Sequence, residues 1–542
     1  MKKLVCFALA LLMLASAVTT AAALDGDHDG DGKVTSNDAV HLLRHTLFPE
    51  TYPITVLKPS EGLEYELSAD GDSYSVTGLG ACTDTYIVIP KEHEGKPVTS
   101  IGEQAFYNKR SITGFYIPYG VTYIGVSAFS NCSAITSFKL PKSLVTINNY
   151  AFEYCTSLEE LDIPNGVSEI NEGLCYRCTK LKRVSIPASA SYVGSYAFYG
   201  CDELKSITVP DKAAFIGKEA FRNCGKLESA VIGKNVASIS DFAFAGCVAL
   251  KSVSIPDSVT ALGDSCFYNC QSIAEATVGK KVTAIPESLF SGCCSLTKVT
   301  LPSGITSIAD YAFNGCRELT GVNIPAAVKS IGEWAFCNCA KLEYADLPSG
   351  LTSLGEGAFS GCESLKRANI PDGVEFIGAY EFNCCTSLAE LTVGSGVTWI
   401  GEAAFSECES IKSVRLPDCI YSIGQMAFAG CTSLESVNIP ASLEGLLWYT
   451  FESCTSLKSI AITGDALEWI GAWSFSGCTS LTEISISTAV TYIQEQAFRG
   501  CSALSKINYA GHKDEWTAIN KDDGWAPDPD SLVIICTDGT IQ

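Results

Sequence analysis

A repeat of 23 residues runs through most of this chain and limits the folds that the chain can adopt. Its most regular position holds phenylalanine, from Phe106 and Phe129 onward to Phe451, with Cys175 taking that place once. One inserted residue then shifts the series, which ends at Phe498. A fixed period of roughly 20–50 residues is typical of a solenoid, in which each turn is too small to form a core alone. The sequence therefore predicts a stack of about eighteen turns.

Each turn follows the template L-x-x-I-x-I-P-x-x-V-T-x-I-G-x-x-A-F-x-x-C. Leu161 and Ile163 show the alternation of a short strand, and Pro164 ends it because proline has no N–H for the ladder. After a second extended piece, Phe267 and Cys270 stand three residues apart, as on one face of a helical turn. These features predict an α/β solenoid with a parallel β-sheet and short helical turns, whose apolar groups are buried in one continuous column.

This signature resembles the BspA-like, or treponemal-type, leucine-rich-repeat family, which is found on secreted and surface proteins of bacteria. The resemblance covers residues 98–510, about three quarters of the chain. It implies a curved leucine-rich-repeat solenoid with a parallel sheet and a role in binding. The resemblance does not identify the ligand.

The charge balance argues against nucleic acid as a partner. The formal net charge is −23, although charged residues make up only 18% of the chain. Binding to nucleic acid requires a basic patch or stripe, which this sequence lacks. An acidic surface favours solubility and disfavours contact with anionic membranes. We therefore expect no nucleic-acid partner.

The amino terminus has the pattern of a secretory signal peptide over residues 1–23. Lys2 and Lys3 precede an apolar stretch that ends in a run of alanines. No later run of ~18 apolar residues could form an integral membrane segment. These features predict a secreted, extracellular protein, and they leave open an association with the cell surface.

The remaining segments are assigned by their departure from the repeat. We predict a calcium-binding segment over residues 24–52, a linker with an N-terminal cap over residues 53–97, the solenoid over residues 98–510 and a C-terminal cap over residues 511–542. The N-terminal cap is expected to contain two strands around Gly71 and Asp72. At the other end, Trp516 and Ile519 are expected to close the core.

The segment after the signal peptide contains a twelve-residue loop with the spacing of an EF-hand. Acidic residues occupy loop positions 1, 3, 5 and 12, and Gly32 at position 6 permits the sharp turn. Ca²⁺ requires several converging oxygen atoms, and the predicted ligands are Asp27, Asp29, Asp31, Lys33 through its carbonyl, Thr35 and Asp38. The alternative is a solvated acidic linker, although chance seldom places four Asp at ligand positions around a correct Gly.

Asp38 stands where an EF-hand usually has a bidentate Glu, and an apolar helical stripe follows it. With these features residues 24–52 resemble one half of a dockerin, the module that binds cohesin domains in cellulosome-type assemblies. The resemblance implies that Ser36 and Asn37 take part in partner recognition. Dockerins carry two such loops, whereas this sequence has one.

The cysteines allow two interpretations. Of the 26 Cys in the chain, 17 occupy the same place in the repeat, from Cys132 to Cys501. Export favours disulfides. Equivalent side chains on adjacent turns, however, remain near the strand spacing of ~4.8 Å, whereas a disulfide needs Cβ atoms about 3.5–4.5 Å apart. The geometry therefore favours a ladder of buried free thiols that act as small apolar groups.

One variable position holds many aromatic residues. It directly precedes the Ile of V-T-x-I and lies outside the apolar pattern, so its side chains should point to solvent; the aromatics there are Tyr123, Tyr192, Phe215, Phe376, Trp399, Trp469 and Tyr492. The Trp-rich part of this row, with the nearby Trp448, predicts a ligand-binding face made of Phe376, Trp399, Trp448, Trp469 and Tyr492. The alternative is that these residues are strand formers that only stabilise the sheet.

Catalysis is not expected. The five His all lie outside the regular turns, and none is placed to activate a Ser or Cys nucleophile. We therefore predict a non-catalytic binding or adhesion protein whose solenoid recognises a protein or a glycan. The alternative is an extracellular subunit that a cohesin recruits, through the dockerin-like segment, to a polysaccharide-degrading assembly.

Overall fold

The computed structural model describes residues 57–541. The predicted signal peptide and calcium segment therefore lie outside the described residues. The chain divides into two compact units, Met1–Val248 (unit 1) and Ala249–Gln542 (unit 2). Over its described residues each unit is a stack of short turns with two rows of mainly parallel strands, which confirms the predicted solenoid and its parallel β-sheet.

The first row is formed by the strand that contains the L-x-I alternation. In unit 1 it comprises Tyr86–Val88, Gly114–Tyr116, Ser137–Phe138, Glu160–Asp162, Arg183–Ser185, Ser206–Thr208 and Ser229–Val231. In unit 2 it comprises Ser252–Ser254, Glu275–Thr277, Lys298–Thr300, Gly321–Val322, Tyr344–Ala345, Arg367–Ile370, Glu390–Val393, Ser413–Val414, Ser436–Val437, Ser459–Ile462, Glu483–Ile486, Lys506–Tyr509 and Val533–Cys536. Paired strands are in register, so that Leu161 stands beside Val184 in the core.

The second row is formed by the V-T-x-I part of each turn. In unit 1 it comprises Tyr74–Gly78, Lys96–Ile101, Tyr123–Ile124, Thr146–Ile147, Phe215–Ile216 and Ser238–Ile239. In unit 2 it comprises Ala261–Leu262, Ala284–Ile285, Ser307–Ile308, Ser330–Ile331, Ser353–Leu354, Phe376–Ile377, Trp399–Ile400, Ser422–Ile423, Gly445–Leu446, Trp469–Ile470, Tyr492–Ile493 and Asn520–Lys521. Nearly all of these strands end on a buried apolar residue, so the residue before it lies on the outer face of the row.

Both caps continue the strand rows. The strand Glu64–Leu67 pairs antiparallel with Tyr74–Gly78, as predicted for the residues around Gly71, and Glu92–His93 pairs antiparallel with Lys96–Ile101. At the carboxyl end, Gly539–Ile541 closes the first row as an antiparallel strand. The α-helix Lys513–Ala518 and the 3-10 helix Pro529–Ser531 lie in this cap.

Trp516 and Ile519 are both buried, as expected for residues that close the core. The last turn is nevertheless more regular than its sequence indicates. The carbonyl of Trp525 accepts the Phe498 N–H, as the carbonyl of Ala128 accepts that of Phe106, and the Trp525 ring packs edge-on against Phe498.

The third side of each turn differs from the expected helical turn. Around each core phenylalanine the backbone forms consecutive β-turns, as in Lys109 N–H to Phe106 carbonyl, while the Phe106 N–H bonds to Ala128 of the next turn. Residues on either side adopt positive φ, 54° at Gln104 and 60° at Asn108, which an α-helix does not allow. We call this side the turn edge.

The core of each unit is a column of stacked phenylalanines. Adjacent rings are nearly parallel, with centroids 5.4 Å apart for Phe198 and Phe221 and 5.1 Å apart for Phe313 and Phe336. Beside them lie the repeated cysteines, which are buried and free. Of the two interpretations, free thiols and disulfides, the structure therefore supports free thiols along the cysteine ladder.

Candidate ligand-binding face

The second row of unit 2 presents the predicted aromatic residues on its outer face. Phe376, Trp399 and Ser422 stand side by side in register on three adjacent strands. Trp469 and Tyr492 are likewise in register on the next group of strands. The structure thus brings four of the five predicted residues together as two pairs on adjacent strands, Phe376 with Trp399 and Trp469 with Tyr492. We call these four residues the aromatic row.

The aromatic row is less exposed than its pattern suggests. Phe376 keeps 49% of its surface exposed, whereas Trp399, Trp469 and Tyr492 are partly buried and less exposed than Phe376. Adjacent strands lie only ~4.8 Å apart, so a large side chain is partly covered by its neighbours along the row. The expectation that all of these side chains point freely into solvent is therefore only partly correct.

Trp469 has a clear structural role. Its indole lies over Gly445 of the preceding turn, where an added Cβ would be only 2.1 Å from Cε2 of Trp469. Covering the exposed backbone of a strand glycine with a cross-strand aromatic ring stabilises a sheet. This contact favours the stabilising alternative for Trp469, and no equivalent glycine lies beside Trp399, whose strand partners are Phe376 and Ser422.

Two side chains of the face, Trp448 and Tyr492, are held by polar contacts. Trp448, which is 52% exposed, lies outside the strand positions and donates from Nε1 to Oε1 of Gln494 at 3.1 Å. The Tyr492 hydroxyl donates to Asp522 of the C-terminal cap at 2.8 Å, and this hydrogen bond raises the pKa of Tyr492. Both side chains are therefore fixed in place before any ligand arrives, which lowers the entropy cost of binding.

A shallow polar groove precedes the aromatic row on the same outer face. It has a volume of about 400 Å³ and is lined by Ser307, Ser330, Ser353, Asp310 and Glu333, among others. The strand that carries Ser353 packs beside the strand that carries Phe376. An aromatic surface therefore adjoins a surface of hydroxyl and carboxylate groups.

The aromatic residues of the turn edge were not among the residues predicted from the sequence. The position two residues before the core phenylalanine holds Tyr150, Tyr196, Phe242, Tyr311, Trp334, Tyr380, Tyr449 and Trp473, all with positive φ. In unit 2, Tyr449 stacks on Trp473 at 5.9 Å, and the Arg499 guanidinium lies 4.8 Å from the Trp473 ring centre. The enrichment of this column in aromatic residues was visible in the sequence and could have identified these side chains.

The predicted calcium ligands Asp27, Asp29, Asp31, Lys33, Thr35 and Asp38 lie outside the described residues, as do Ser36 and Asn37. Within residues 57–541, no group of three or more His, Cys, Asp or Glu side chains is placed to hold a metal ion. The same part of the chain contains no helix that is both long and apolar enough to cross a membrane.

A BspA-type leucine-rich-repeat model matches the chain over residues 99–228, 214–342, 285–412 and 398–519. The chain therefore belongs to the BspA-type leucine-rich-repeat family, which confirms the resemblance drawn from the repeat. No enzyme family is indicated by the match. The comparison with curated proteins found no match.

Solved structures of leucine-rich-repeat proteins are similar to this chain. One from Bacteroides ovatus is 25% identical, covers 84% of this chain and 100% of its own length, and has a TM-score of 0.51. A leucine-rich cell surface protein from Faecalibacterium prausnitzii is 26% identical, with coverage of 86% and 98% and a TM-score of 0.33. The first of these supports the leucine-rich-repeat solenoid fold.

Proposed function

We propose that this chain is a secreted, non-catalytic binding protein, and that the aromatic row of unit 2 binds a protein or glycan ligand. The observation that carries the proposal is the pair formed by Phe376 and Trp399, two large aromatic side chains that stand in register on the outer face. Trp and Phe contribute large contact areas at low conformational cost, and Trp is enriched at the contacts that dominate binding energy. Membership in a leucine-rich-repeat family supports a binding role.

The surroundings of this pair suit a ligand with both apolar and polar groups. Phe376 is about half exposed and adjoins the groove lined by Ser330, Ser353 and Glu333. A partner can therefore pack against a ring and direct hydroxyl, amide or carboxylate groups to the neighbouring polar side chains. Both a sugar chain and a protein surface present such a combination.

The test is a binding screen of the purified secreted protein against immobilised glycans and extracellular-matrix proteins. The variant carries Phe376→Ser and Trp399→Ser, because Ser already occupies the same column at Ser330, Ser353 and Ser422. We expect the double variant to lose at least tenfold in affinity, since truncating a central anchor costs about 2 kcal/mol or more. A matched Tyr123→Ser variant in unit 1 should bind like the wild type. Full affinity of the double variant would show that the ligand binds elsewhere.

We also propose that residues 24–52 form a calcium-binding, dockerin-like half-module that joins the protein to a cohesin-bearing, polysaccharide-degrading assembly. The spacing of Asp27, Asp29, Asp31 and Asp38 around Gly32 supports this alternative. Calorimetry should detect Ca²⁺ binding that is abolished by Asp27→Ala with Asp38→Ala. Cohesin binding should require both Ca²⁺ and the pair Ser36 and Asn37. Calcium binding that survives the double substitution would refute the assigned loop.

A further inference from the structure

A second aromatic cluster lies on the turn edge of unit 1. It consists of Tyr154, Tyr176, Arg177, Tyr196 and Tyr199, and we call it the tyrosine cluster. The rings of Tyr176 and Tyr199 stack at 4.9 Å with 14° between their planes, and Tyr154 meets Tyr176 edge-on at 5.6 Å. Tyr196 lies 6.4 Å from Tyr176 and 6.3 Å from Tyr199. Four tyrosines from three successive turns thus form one continuous surface.

An arginine lies across this surface. The guanidinium carbon of Arg177 is 5.5 Å from the ring centre of Tyr199 and 6.0 Å from that of Tyr176. Two other arginines of unit 1 have acidic partners: Arg183 pairs with Asp162 and Arg222 pairs with Glu219. Arg177 has no ion pair among the described residues, and a hydrogen bond with Tyr176 is the largest influence that raises its pKa. Its remaining N–H groups are available to a partner.

Arg177 has an acidic neighbour, Asp202, with which it forms no ion pair among the described residues. Asp202 is close enough for Arg177 to lower its pKa, but burial has the larger effect and raises the pKa of Asp202 overall. Arg177 itself is exposed, and it stands out on a protein with a net charge of −23. A guanidinium that is held in place by stacking loses less freedom when it binds, and its fork of N–H donors matches a carboxylate.

The geometry distinguishes between two kinds of acidic partner. A sugar ring binds an aromatic side chain through an open ring face. In the tyrosine cluster Tyr176 and Tyr199 face each other, and the guanidinium of Arg177 lies beside this stack, nearly equidistant from the two ring centres. The facing sides of both rings are therefore closed to a sugar ring, which leaves the ring edges beside the guanidinium as a contact surface. Side chains of a protein segment can pack against such edges, and Tyr and Arg are enriched at the dominant contacts of protein interfaces.

We propose that the tyrosine cluster is a docking site for an acidic segment of another protein, in which Arg177 binds an Asp or Glu carboxylate and the tyrosines pack against the flanking side chains. This site lies in unit 1 and does not depend on a ligand in the aromatic row of unit 2. It gives the protein a second, chemically different contact with its surroundings.

The test uses an array of synthetic peptides of about fifteen residues that contain Asp or Glu beside apolar residues. A matched array carries Asn and Gln in place of every Asp and Glu. The purified protein is expected to bind members of the acidic array and to lose that binding on the amide array. Binding should weaken as salt is added, because an exposed guanidinium–carboxylate contact is screened.

The variants follow substitutions that the repeat already contains. Arg177→Asn introduces the residue found in the same column at Asn131 and Asn223, and Tyr176→Ser introduces the residue found at Ser130. Each should reduce affinity for the acidic peptides at least tenfold without lowering the melting temperature. Arg183→Ser, which changes the net charge equally on the first strand row, is the control and should bind normally.

Any of four results would overturn the proposal. The wild-type protein could bind both arrays equally, or it could bind neither of them. Arg177→Asn could retain full affinity for the acidic peptides while Arg183→Ser loses it. The protein could instead bind uronic-acid glycans through Arg177 and ignore the acidic peptides, which would assign the cluster to sugars.

Discussion

The thiol of Cys155 donates a hydrogen bond to the main-chain carbonyl oxygen of Phe129, one turn earlier, over 3.3 Å. The same carbonyl oxygen also accepts the N–H of Cys132 within its own turn, so both of its lone pairs are used. Equivalent thiol contacts recur along both units, as in Cys132 to Phe106 and Cys501 to Phe475, each at 3.1 Å. The repeated cysteine is therefore a buried hydrogen-bond donor as well as a small apolar group.

This contact predicts a stability loss for Cys155→Ala. The substitution removes the S–H donor and leaves a small cavity in a column that is fully buried. We expect the free energy of unfolding to fall by about 1–3 kcal/mol, the usual range for a core truncation combined with a lost hydrogen bond. Equilibrium urea unfolding measures the effect. Cys294→Thr, at a half-buried position where other turns hold Thr, is the control and should change little.

A second prediction concerns thiol reactivity. Burial raises the pKa of Cys132 and of Cys431 to about 12, so at pH 8 these thiols remain protonated in the folded protein. Because the thiolate is the reactive form, an alkylating reagent should modify the exposed Cys419 and leave the ladder unmodified until the protein is unfolded. Mass spectrometry after alkylation gives the result for each cysteine. Disulfides between adjacent turns would contradict the free-thiol ladder.

A third prediction concerns Glu381, which is fully buried where the neighbouring turns hold Ala358 and Ala404. Neither of its carboxylate oxygens has a hydrogen-bond partner among the described residues, and burial raises its pKa well above the ordinary value of 4.5. Below pH 4.5 the group is protonated in both the folded and the unfolded state. As the pH rises, the unfolded state releases its proton and the folded state retains it, so the wild type loses stability until the folded pKa is reached.

Glu381→Ala should therefore be more stable than the wild type, and near pH 4 the difference should be about 1–3 kcal/mol, the cost of an unsatisfied buried polar group. The difference should grow as the pH rises toward neutral, because the wild type then loses further stability. Denaturation curves of both proteins across this pH range provide the measurement, with the exposed Glu363→Ala as control. A difference that does not change with pH would mean that the buried carboxyl group does not titrate as inferred.

The parts of the fold that could be predicted from the sequence depend on period and alternation. The buried phenylalanine and cysteine columns follow from the repeat, and the hairpin around Gly71 follows from two alternating segments. The turn edge could not be predicted, because Tyr150 and Trp334 are not glycines and nothing in their chemistry indicates a positive φ. The thiol hydrogen bonds join residues on different turns. The spacing of residues along the sequence does not give the distance between atoms of those turns.

For the candidate site too, the sequence predicts which side chains point outward but not which residues they contact. The outward position of Phe376 follows from strand alternation, and its exposure agrees with that prediction. The roles of the two tryptophans could not be separated from the sequence, since each follows the same pattern. Only the structure shows that Trp469 covers Gly445, whereas Trp399 stands between Phe376 and Ser422.

Paired measurements of affinity and melting temperature on Trp399→Ser distinguish a ligand-binding aromatic row from one that only stabilises the sheet. The ligand is the one that the glycan and matrix screen identifies, and Trp469→Ser and Tyr123→Ser are measured alongside. Trp399→Ser should lose at least tenfold in affinity with its melting temperature nearly unchanged, because removing a cross-strand contact costs only about 0.2–1 kcal/mol. Trp469→Ser should lower the melting temperature, since it uncovers Gly445, and Tyr123→Ser should affect neither affinity nor melting. A Trp399→Ser protein that melts at a lower temperature but binds with full affinity would show that Trp399 only stabilises the sheet and that the ligand binds elsewhere.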